Sequence, residues 1–164
     1  MTDPSPTPVD IRPARREDVS AIVALIRELA VFEQLEHLCV ATPETLDPHL
    51  FGARPACECL VGEQGGAVVG FALYFHNFST FLCRPGLYLE DLYVQPAARG
   101  TGLGGQFLRR LARIAVERGC GRFEWSVLDW NVNAQRFYAR MGADLLPDWR
   151  ICRVTGDALR HLAS

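Results

Sequence analysis

Residues 89–107, LEDLYVQPAARGTGLGGQF, decide the fold. They pass from an alternating apolar pattern, typical of a strand, through a cluster of glycines into an amphipathic pattern typical of a helix. Within the cluster, residues 100–105 (GTGLGG) match G-x-G-x-x-G, the sequence that binds dinucleotides in a Rossmann fold. The first question is therefore which phosphate, if any, this loop holds.

The surrounding sequence disfavours a dinucleotide site but leaves it open. The first glycine should directly follow the first strand of a β-α-β unit, whereas residues 95–99 (QPAAR) intervene here. The strand also carries Glu90 and Asp91, where a buried parallel strand would be continuously apolar. Glu124 does lie about 20 residues on, where a ribose-binding acid is expected. A Walker loop is excluded because no Gly-Lys-Ser/Thr follows, and a plain tight turn remains the non-functional alternative.

The physical chemistry of the loop favours an anion whatever its label. Small residues at 100–105 let backbone N–H groups converge at the start of a helix, where the helix dipole attracts negative charge. Arg99 adds a cation beside them. Such a nest of N–H groups suits a pyrophosphate.

Hydrophobic periodicity predicts the remaining elements. Strands are expected at residues 9–14, 58–63, 67–76, 86–94, 122–128 and 149–154. Helices are expected at residues 17–33, 42–51, 103–119 and 131–142. This order indicates an α/β (α+β) fold with a mixed central sheet and helices on both faces. We expect residues 1–8 to be a flexible lead and residues 9–164 to form a single domain.

Composition is that of an ordinary soluble protein, with 49% hydrophobic and 22% charged residues among 164. No apolar run is long enough for a membrane span, and the polar, proline-rich N-terminus does not match a signal peptide, so we expect a cytoplasmic protein. The six cysteines show no C-x-x-C spacing, which predicts reduced, mostly buried thiols. They are Cys39, Cys57, Cys59, Cys83, Cys120 and Cys152.

Charge is distributed unevenly along the chain. All 17 basic residues are arginine. Residues 31–63 hold six carboxylates against Arg54 alone, whereas residues 99–122 hold six arginines against Glu117 alone. The two segments are interpreted either as solvated faces or as an acidic and a basic part of one site.

The glycine loop also carries a family signature. Residues 99–104 (RGTGLG) match R/Q-x-x-G-x-G/A, and they follow the strand LEDLYV and precede Asp129-Trp130-Asn131 and Phe137-Tyr138. With these pieces the chain resembles the GNAT superfamily of N-acetyltransferases, and within it the diamine (spermidine/spermine) and thialysine acetyltransferases. The resemblance covers about residues 9–162 and implies that the loop holds the pyrophosphate of acetyl-coenzyme A.

The resemblance implies the cofactor contacts. Two central strands would splay apart, and the pantetheine arm would lie between them, paired with the backbone of Leu92, Tyr93 and Val94. The Val94 N–H, or a neighbour, would stabilise the oxyanion of the tetrahedral intermediate. The phosphates would be bound by Arg99, Gly100, Thr101, Gly102, Leu103, Gly104 and Gly105, and the far wall would be lined by Asn131 and Ala134.

The resemblance also implies the proton chemistry. Tyr138 would protonate the leaving thiolate, and Glu90 would take the proton of the amine directly or through water. Glu33, Glu90 and Asp91 would bind a cationic acceptor. The plainer alternatives are packing for Tyr138 and a solvated surface position for either glutamate. His76 ends a predicted strand near where the acceptor could enter, although a lone histidine more often packs.

The chain departs from the polyamine enzymes at several positions, and these departures narrow the range of acceptors that we expect. Phe32 replaces a tyrosine, residues 77–86 differ, and Arg84 brings positive charge near the site. We expect a short diamine, thialysine or another small primary amine, with an amino acid, an antibiotic or a protein N-terminus as alternative acceptors. A non-catalytic acetyl-coenzyme A-binding module is the alternative outside the enzymes. We expect a homodimer, given the branch and the alternation of Trp149, Ile151 and Val154, and no metal, nucleic acid or membrane.

Overall fold

The computed structural model describes residues 8–164, so that the predicted lead at residues 1–8 lies almost wholly outside it. The chain divides into two compact units, the first ending at Ser126 and the second spanning Val127–Ser164. The elements of the first unit are β1 (Val9–Pro13), α1 (Val19–Phe32), α2 (Pro43–Phe51), β2 (Glu58–Gln64), β3 (Ala67–Ser79), β4 (Arg84–Val94), α3 (Leu103–Glu117) and β5 (Arg122–Trp125). The second unit contains α4 (Val132–Arg140) and α5 (Gly156–Leu162).

The five strands form one mixed sheet in the order β1-β2-β3-β4-β5. Neighbouring strands are antiparallel except β4 and β5, which are parallel. The parallel pair follows from the chain path, because α3 carries the chain back between β4 and β5. The predicted α/β fold with a mixed sheet is thereby confirmed.

Helices cover both faces of this sheet. On one face α1 and α2 pack on β2, β3 and β4, and we call this the α1 face. Its buried core consists of Ile22, Leu25, Leu29, Leu50, Cys59, Val61, Phe71 and Tyr93. The opposite face is covered by α3, whose buried stripe comprises Leu103, Phe107, Leu108, Leu111 and Ile114. This period of three and four residues is the one that predicted the helix.

A β-bulge interrupts β4 near its middle. On β3 the consecutive residues Leu73 and Tyr74 face Asp91 and Leu89, respectively. Glu90 is therefore an extra residue on β4, with no residue opposite it on β3. Such an extra residue bends its strand and increases the local twist.

The pairing of β4 with β5 stops at this bulge. The parallel register joins residues Gly86–Leu89 to Arg122–Trp125. Beyond Leu89, β4 continues to Val94, but β5 has already ended. Residues 90–94 therefore have an edge that no strand of the described residues 8–164 pairs with, as the predicted splaying requires.

Several predicted boundaries were wrong. The β3–β4 hairpin is longer than expected, reaching Ser79 and Arg84, and β5 ends at Trp125. Residues 149–154 form no strand, and an unpredicted helix, α5, follows them. Apolar alternation there suggested a strand, but alternation does not supply the hydrogen-bonded neighbour that a strand needs.

The thiols are free, but most are not buried. Only Cys59 is buried, while Cys83 and Cys152 are exposed and the other three are intermediate. Composition could not reveal this, because exposure depends on which loop carries each thiol. Within residues 8–164, no helix is both long and apolar enough to cross a membrane.

We expect Gly62→Val to lower the free energy of unfolding by about 1–3 kcal/mol, because α3 packs directly on this glycine. A Cβ atom at Gly62 would lie 3.1 Å from a Leu103 methyl carbon and 3.2 Å from the Phe107 ring. Urea denaturation measures the effect. Ala67→Val, at an exposed position at the start of β3, is the control and should change it by less than about 0.5 kcal/mol. Equal stability of both variants would show that α3 tolerates displacement from β2.

Candidate active site

The glycine loop leads directly into α3. Gly100 and Gly102 have φ angles of 79° and 83°, in the left-handed region that favours glycine. A Cβ atom at either position would meet nothing within 4 Å, so the loop presents its backbone to open space. The first hydrogen bond of α3 joins the Gln106 N–H to the Gly102 carbonyl. The N–H groups of residues 103–105 thus have no acceptor within the helix and can bind an anion.

Arg99 anchors this loop to the end of β4. Its Nε donates to the Val94 carbonyl at 2.9 Å. Its guanidinium lies 5.4 Å from the Phe32 ring centroid and 5.5 Å from that of Tyr93. The side chain predicted to bind phosphate therefore also joins the loop to the C-terminal end of α1.

The open edge of β4 presents the backbone of two residues. The Gln95 N–H donates to the Val69 carbonyl at 2.9 Å, which makes this opposed pair a hydrogen-bonded one. In an antiparallel ladder such pairs alternate with pairs whose backbone groups point outwards. Val94 and Leu92 therefore direct their N–H and C=O groups to the open edge, whereas Tyr93 faces β3. Of the three residues predicted to pair with the pantetheine arm, Leu92 and Val94 thus present backbone groups to the open edge, and Tyr93 does not.

Three predicted carboxyl groups come together on the α1 face. Asp91 is directly opposite Leu73, which packs against the α1-face core. Burial, and then the charges of Glu90 and Glu33, raises the pKa of Asp91 to about 6. Burial also raises the pKa of Glu33 at the end of α1. The charges of Glu90 and Glu33 can act on Asp91 in this way only if both groups lie near it. Among the described residues, Asp91 has no hydrogen bond or ion pair that would offset its charge.

Two aromatic side chains continue this face beyond Asp91. Phe75 and Tyr88 face each other across β3 and β4, with ring centroids 5.2 Å apart. The Tyr88 hydroxyl lies 2.8 Å from the Ser126 hydroxyl. Sequence reasoning missed both rings, because without the bulge Tyr88 and Asp91 would point to opposite faces of β4. The feature that places Tyr88 and Asp91 on one face is the extra residue on β4, and only the pairing register of β3 and β4 reveals it.

The second unit holds the other predicted residues. Asn131 caps α4, its side-chain oxygen accepting from the Ala134 N–H at 3.2 Å. Gln135 donates to the carbonyls of Leu128 and Asp129 and so fixes the preceding loop. Tyr138 lies on α4, half-buried, with its ring centroid 5.4 Å from that of Phe137.

His76 lies on the other side of the sheet from Asp91 and Phe75. It is one residue from Phe75 on β3, so its side chain lies on the opposite face of the sheet. There its Nε2 is 3.5 Å from the Arg118 guanidinium, which binds both oxygens of Glu58. This environment fits the plainer alternative, in which a lone histidine packs or hydrogen-bonds, and it separates His76 from the three carboxyl groups.

Comparison with known proteins agrees with this geometry. The family model of the acetyltransferase (GNAT) family matches residues 24–143. The chain belongs to the GNAT family of acetyltransferases. A thialysine N-epsilon-acetyltransferase of Mus musculus is 41% identical over 164 residues, covering 93% of this chain and 96% of the relative. An L-ornithine N5-acetyltransferase of Arabidopsis thaliana is 36% identical, covering 93% and 86%.

Among solved structures, an integron cassette protein from the mobile metagenome of V. cholerae superposes with a TM-score of 0.79 at 28% identity. That match covers 94% of this chain and 97% of the other. Family and relatives together make this GNAT protein an N-acetyltransferase. The fold and family deduced from the glycine loop are confirmed.

We expect Asp91→Asn to raise the free energy of unfolding at pH 7.5 by about 1–3 kcal/mol, because it removes a buried charge. The pKa of Asp91 is about 6, against an ordinary value of 3.8. The folded state therefore binds this proton more tightly, and stability falls as the pH rises from about 4 to 6. The variant keeps the shape of the side chain but has no carboxyl group to ionise, so its stability does not fall in this way as the pH rises.

Urea denaturation at pH 3.5 and pH 7.5 tests this expectation. The stability difference between variant and wild type should be close to zero at the lower pH, where Asp91 is protonated in both states. Asp10→Asn, at an exposed position of β1, is the matched control and should show no such pH dependence. A variant less stable than wild type at pH 7.5 would show that the carboxylate is favourable where it is.

Proposed function

We propose that this protein transfers the acetyl group of acetyl-coenzyme A to the primary amine of a small cationic acceptor: thialysine, ornithine or a short diamine. One observation carries the proposal. The open edge of β4 at Leu92 and Val94 lies beside Asp91, a carboxyl group that no cation of the described residues neutralises. A thioester bound along this edge would meet an amine held by that carboxyl group.

The donor side fits acetyl-coenzyme A. The free N–H groups at residues 103–105 and the open backbone at Gly100 and Gly102 suit its pyrophosphate. The outward N–H and C=O groups of Leu92 and the N–H of Val94, whose carbonyl accepts from Arg99, can pair with an extended pantetheine, whose amides alternate as those of a strand do. The Leu92 N–H, next to Asp91, or the Val94 N–H would stabilise the oxyanion of the tetrahedral intermediate.

The acceptor side fits a cation. Asp91, Glu90 and Glu33 together attract an ammonium group, and an ionised Asp91 gains most from it because its charge is buried. An alkyl ammonium has a pKa near 10.4 and must lose its proton before attack. Glu90, exposed at the bulge, would take that proton directly or through water. Turnover is expected to rise towards alkaline pH as more of the amine is neutral.

Proton delivery to the leaving thiolate is assigned to Tyr138. This role rests on the position of Tyr138 in the family pattern, after Trp130-Asn131 and beside Phe137. A phenol with a pKa near 10 can donate to a thiolate as the carbon–sulfur bond breaks. Asn131, by capping α4, would fix the start of the helix that carries Tyr138.

The relatives favour acceptors with an amino-acid end. The mouse and Arabidopsis proteins are named for thialysine and ornithine, both amino acids with a side-chain amine. Phe32, which replaces a tyrosine, packs against Arg99 and offers no hydroxyl to a long polyamine. An antibiotic or a protein N-terminus remains the alternative acceptor, and a panel of amines with detection of free thiol decides among them.

We also propose that the protein is a cytoplasmic homodimer. Trp149 and Ile151 are 74% and 72% exposed, and Leu146 is 62% exposed. Large apolar side chains exposed to this degree within one short segment are typical of a surface that a second subunit covers. Light scattering at micromolar concentration would show a dimer, and a monomer would contradict this part of the proposal.

Gly102→Val should weaken acetyl-coenzyme A binding at least about tenfold, because the side chain would enter the space above the loop. Gly119→Val is the matched control. Its φ angle of 68° is also left-handed, and its Cβ would also meet open space, at the other end of α3. Calorimetric titration should show lost affinity only for Gly102→Val. Equal affinities in both variants would remove the loop from the site.

Tyr138→Phe should lower kcat about 10²–10⁴-fold while leaving acetyl-coenzyme A affinity unchanged, the usual effect of removing a positioned acid. The substitution keeps the ring and its contact with Phe137. Steady-state assays of thiol release measure the effect. A kcat within twofold of wild type would assign Tyr138 to packing.

A further inference from the structure

The bulge aligns a row of side chains on the α1 face of the sheet, running away from the reacting end. Asp91, Tyr88 and Gly86 lie opposite Leu73, Phe75 and Asn77 on β3. Since alternate residues of β3 share a face, all six positions share the α1 face. On β5, Glu124 and Arg122 lie next to Tyr88 and Gly86 and continue this row. We call Arg122 and Glu124 the distal pair.

The distal pair is a cation and an anion side by side. Arg122 Nη2 lies 3.4 Å from Glu124 Oε1, and their side chains remain 38% and 35% exposed. Asn77 Nδ2 donates to the same carboxylate oxygen at 2.8 Å and fixes its position. The Arg122 chain is held as well, because it packs over Gly86, which has no side chain. Among the described residues, the remaining donors of Arg122 and the second oxygen of Glu124 have no partner.

We propose that the distal pair binds the amino-acid end of the acceptor, Arg122 taking the α-carboxylate and Glu124 the α-ammonium group. This inference rests on the proposed function and names the part of the acceptor that does not react. An ammonium and a carboxylate on one carbon present the opposite charges in the same close arrangement. Arginine suits the carboxylate because its planar donors can bind both oxygens.

The spacing matches an amino acid with a side-chain amine. From Asp91 to Glu124 the path covers two residues along the strands and one step between strands, or about 8 Å between Cα atoms. The two nitrogens of ornithine or thialysine are about 6–8 Å apart when the chain is extended. Phe75 and Tyr88 lie between the two ends, and their rings would contact the carbon chain.

Arg84 is a less suitable partner for the carboxylate. It lies two residues before Gly86 on β4, about 7 Å farther from Asp91 along the strand. Arg84 packs over Gly121 much as Arg122 packs over Gly86, so its greater distance from Asp91 is what separates the two arginines. Arg122 therefore places a positive charge closer to Asp91 than Arg84 does, and this charge also disfavours polyamines as acceptors.

Ornithine and 1,4-diaminobutane test the assignment, because they differ only in the carboxylate. Arg122→Gln should raise KM for ornithine about tenfold or more, with kcat within about twofold and KM for 1,4-diaminobutane unchanged. Arg122→Lys should restore part of the ornithine affinity. Glu124→Gln should raise KM for both acceptors, since both place an ammonium group there. Arg113→Gln, at an exposed position on α3, is the control for lost charge and should leave both KM values unchanged.

The outcomes separate the two claims. If Arg122→Gln raises KM equally for both acceptors, or for neither, the distal pair does not read the carboxylate and this inference is overturned alone. If the wild-type protein acetylates neither compound, the proposed function and this inference fall together. If Arg113→Gln reproduces the ornithine effect, the change reflects the overall charge of the protein and the assignment to Arg122 is wrong.

Discussion

The β4 bulge, in which Glu90 is an extra residue that has no partner on β3, determines the arrangement of the site. If β4 lacked this residue, Asp91 and Tyr88 would point to opposite faces of the sheet. No continuous row of side chains would then lead from the carboxyl groups to β5. The pairing of β4 with β5 ends at the same bulge, so that residues 90–94 have one open edge while residues 91–94 remain paired with β3. One inserted residue thus creates both the open edge that we propose for the acetyl donor and the face that we propose for the acceptor.

Charge placement follows from this backbone arrangement. The bulge carries Asp91 into a half-buried position beside Glu33 and Glu90, where an ionised carboxylate reduces the stability of the free protein. Proteins retain such unfavourable groups where a ligand compensates them, and an ammonium ion would do so here. The proposed donor side carries the opposite charge, because Arg99 and the free N–H groups at the start of α3 can bind an anion. Of the acidic and arginine-rich segments only Glu33 and Arg99 are placed at these two ends, whereas Glu58 and Arg118 pair with each other.

The sequence predicted features that depend on residues close together in the chain, but not features that depend on how the strands pair. The glycine loop, the stripe of α3 and the carboxylates of β4 are local patterns, and each was recognised. The face on which Tyr88 and Glu124 lie depends on strand register and on one unpaired residue, which no periodicity reports. The same register decides that Phe75, and not its neighbour His76, shares a face with Asp91. The false strand at 149–154 arose because alternation says nothing about a pairing partner.

Amide hydrogen exchange, with and without acetyl-coenzyme A, tests whether the edge of β4 is open and receives the acetyl donor. We expect the amides of Leu92 and Val94 to exchange fast in the free protein and to become protected at saturating acetyl-coenzyme A. The Tyr93 amide, which faces β3, should be protected in both states and serves as the internal reference. Protection of Leu92 and Val94 already in the free protein, or no change on saturation, would contradict an open edge of β4 that receives the acetyl donor.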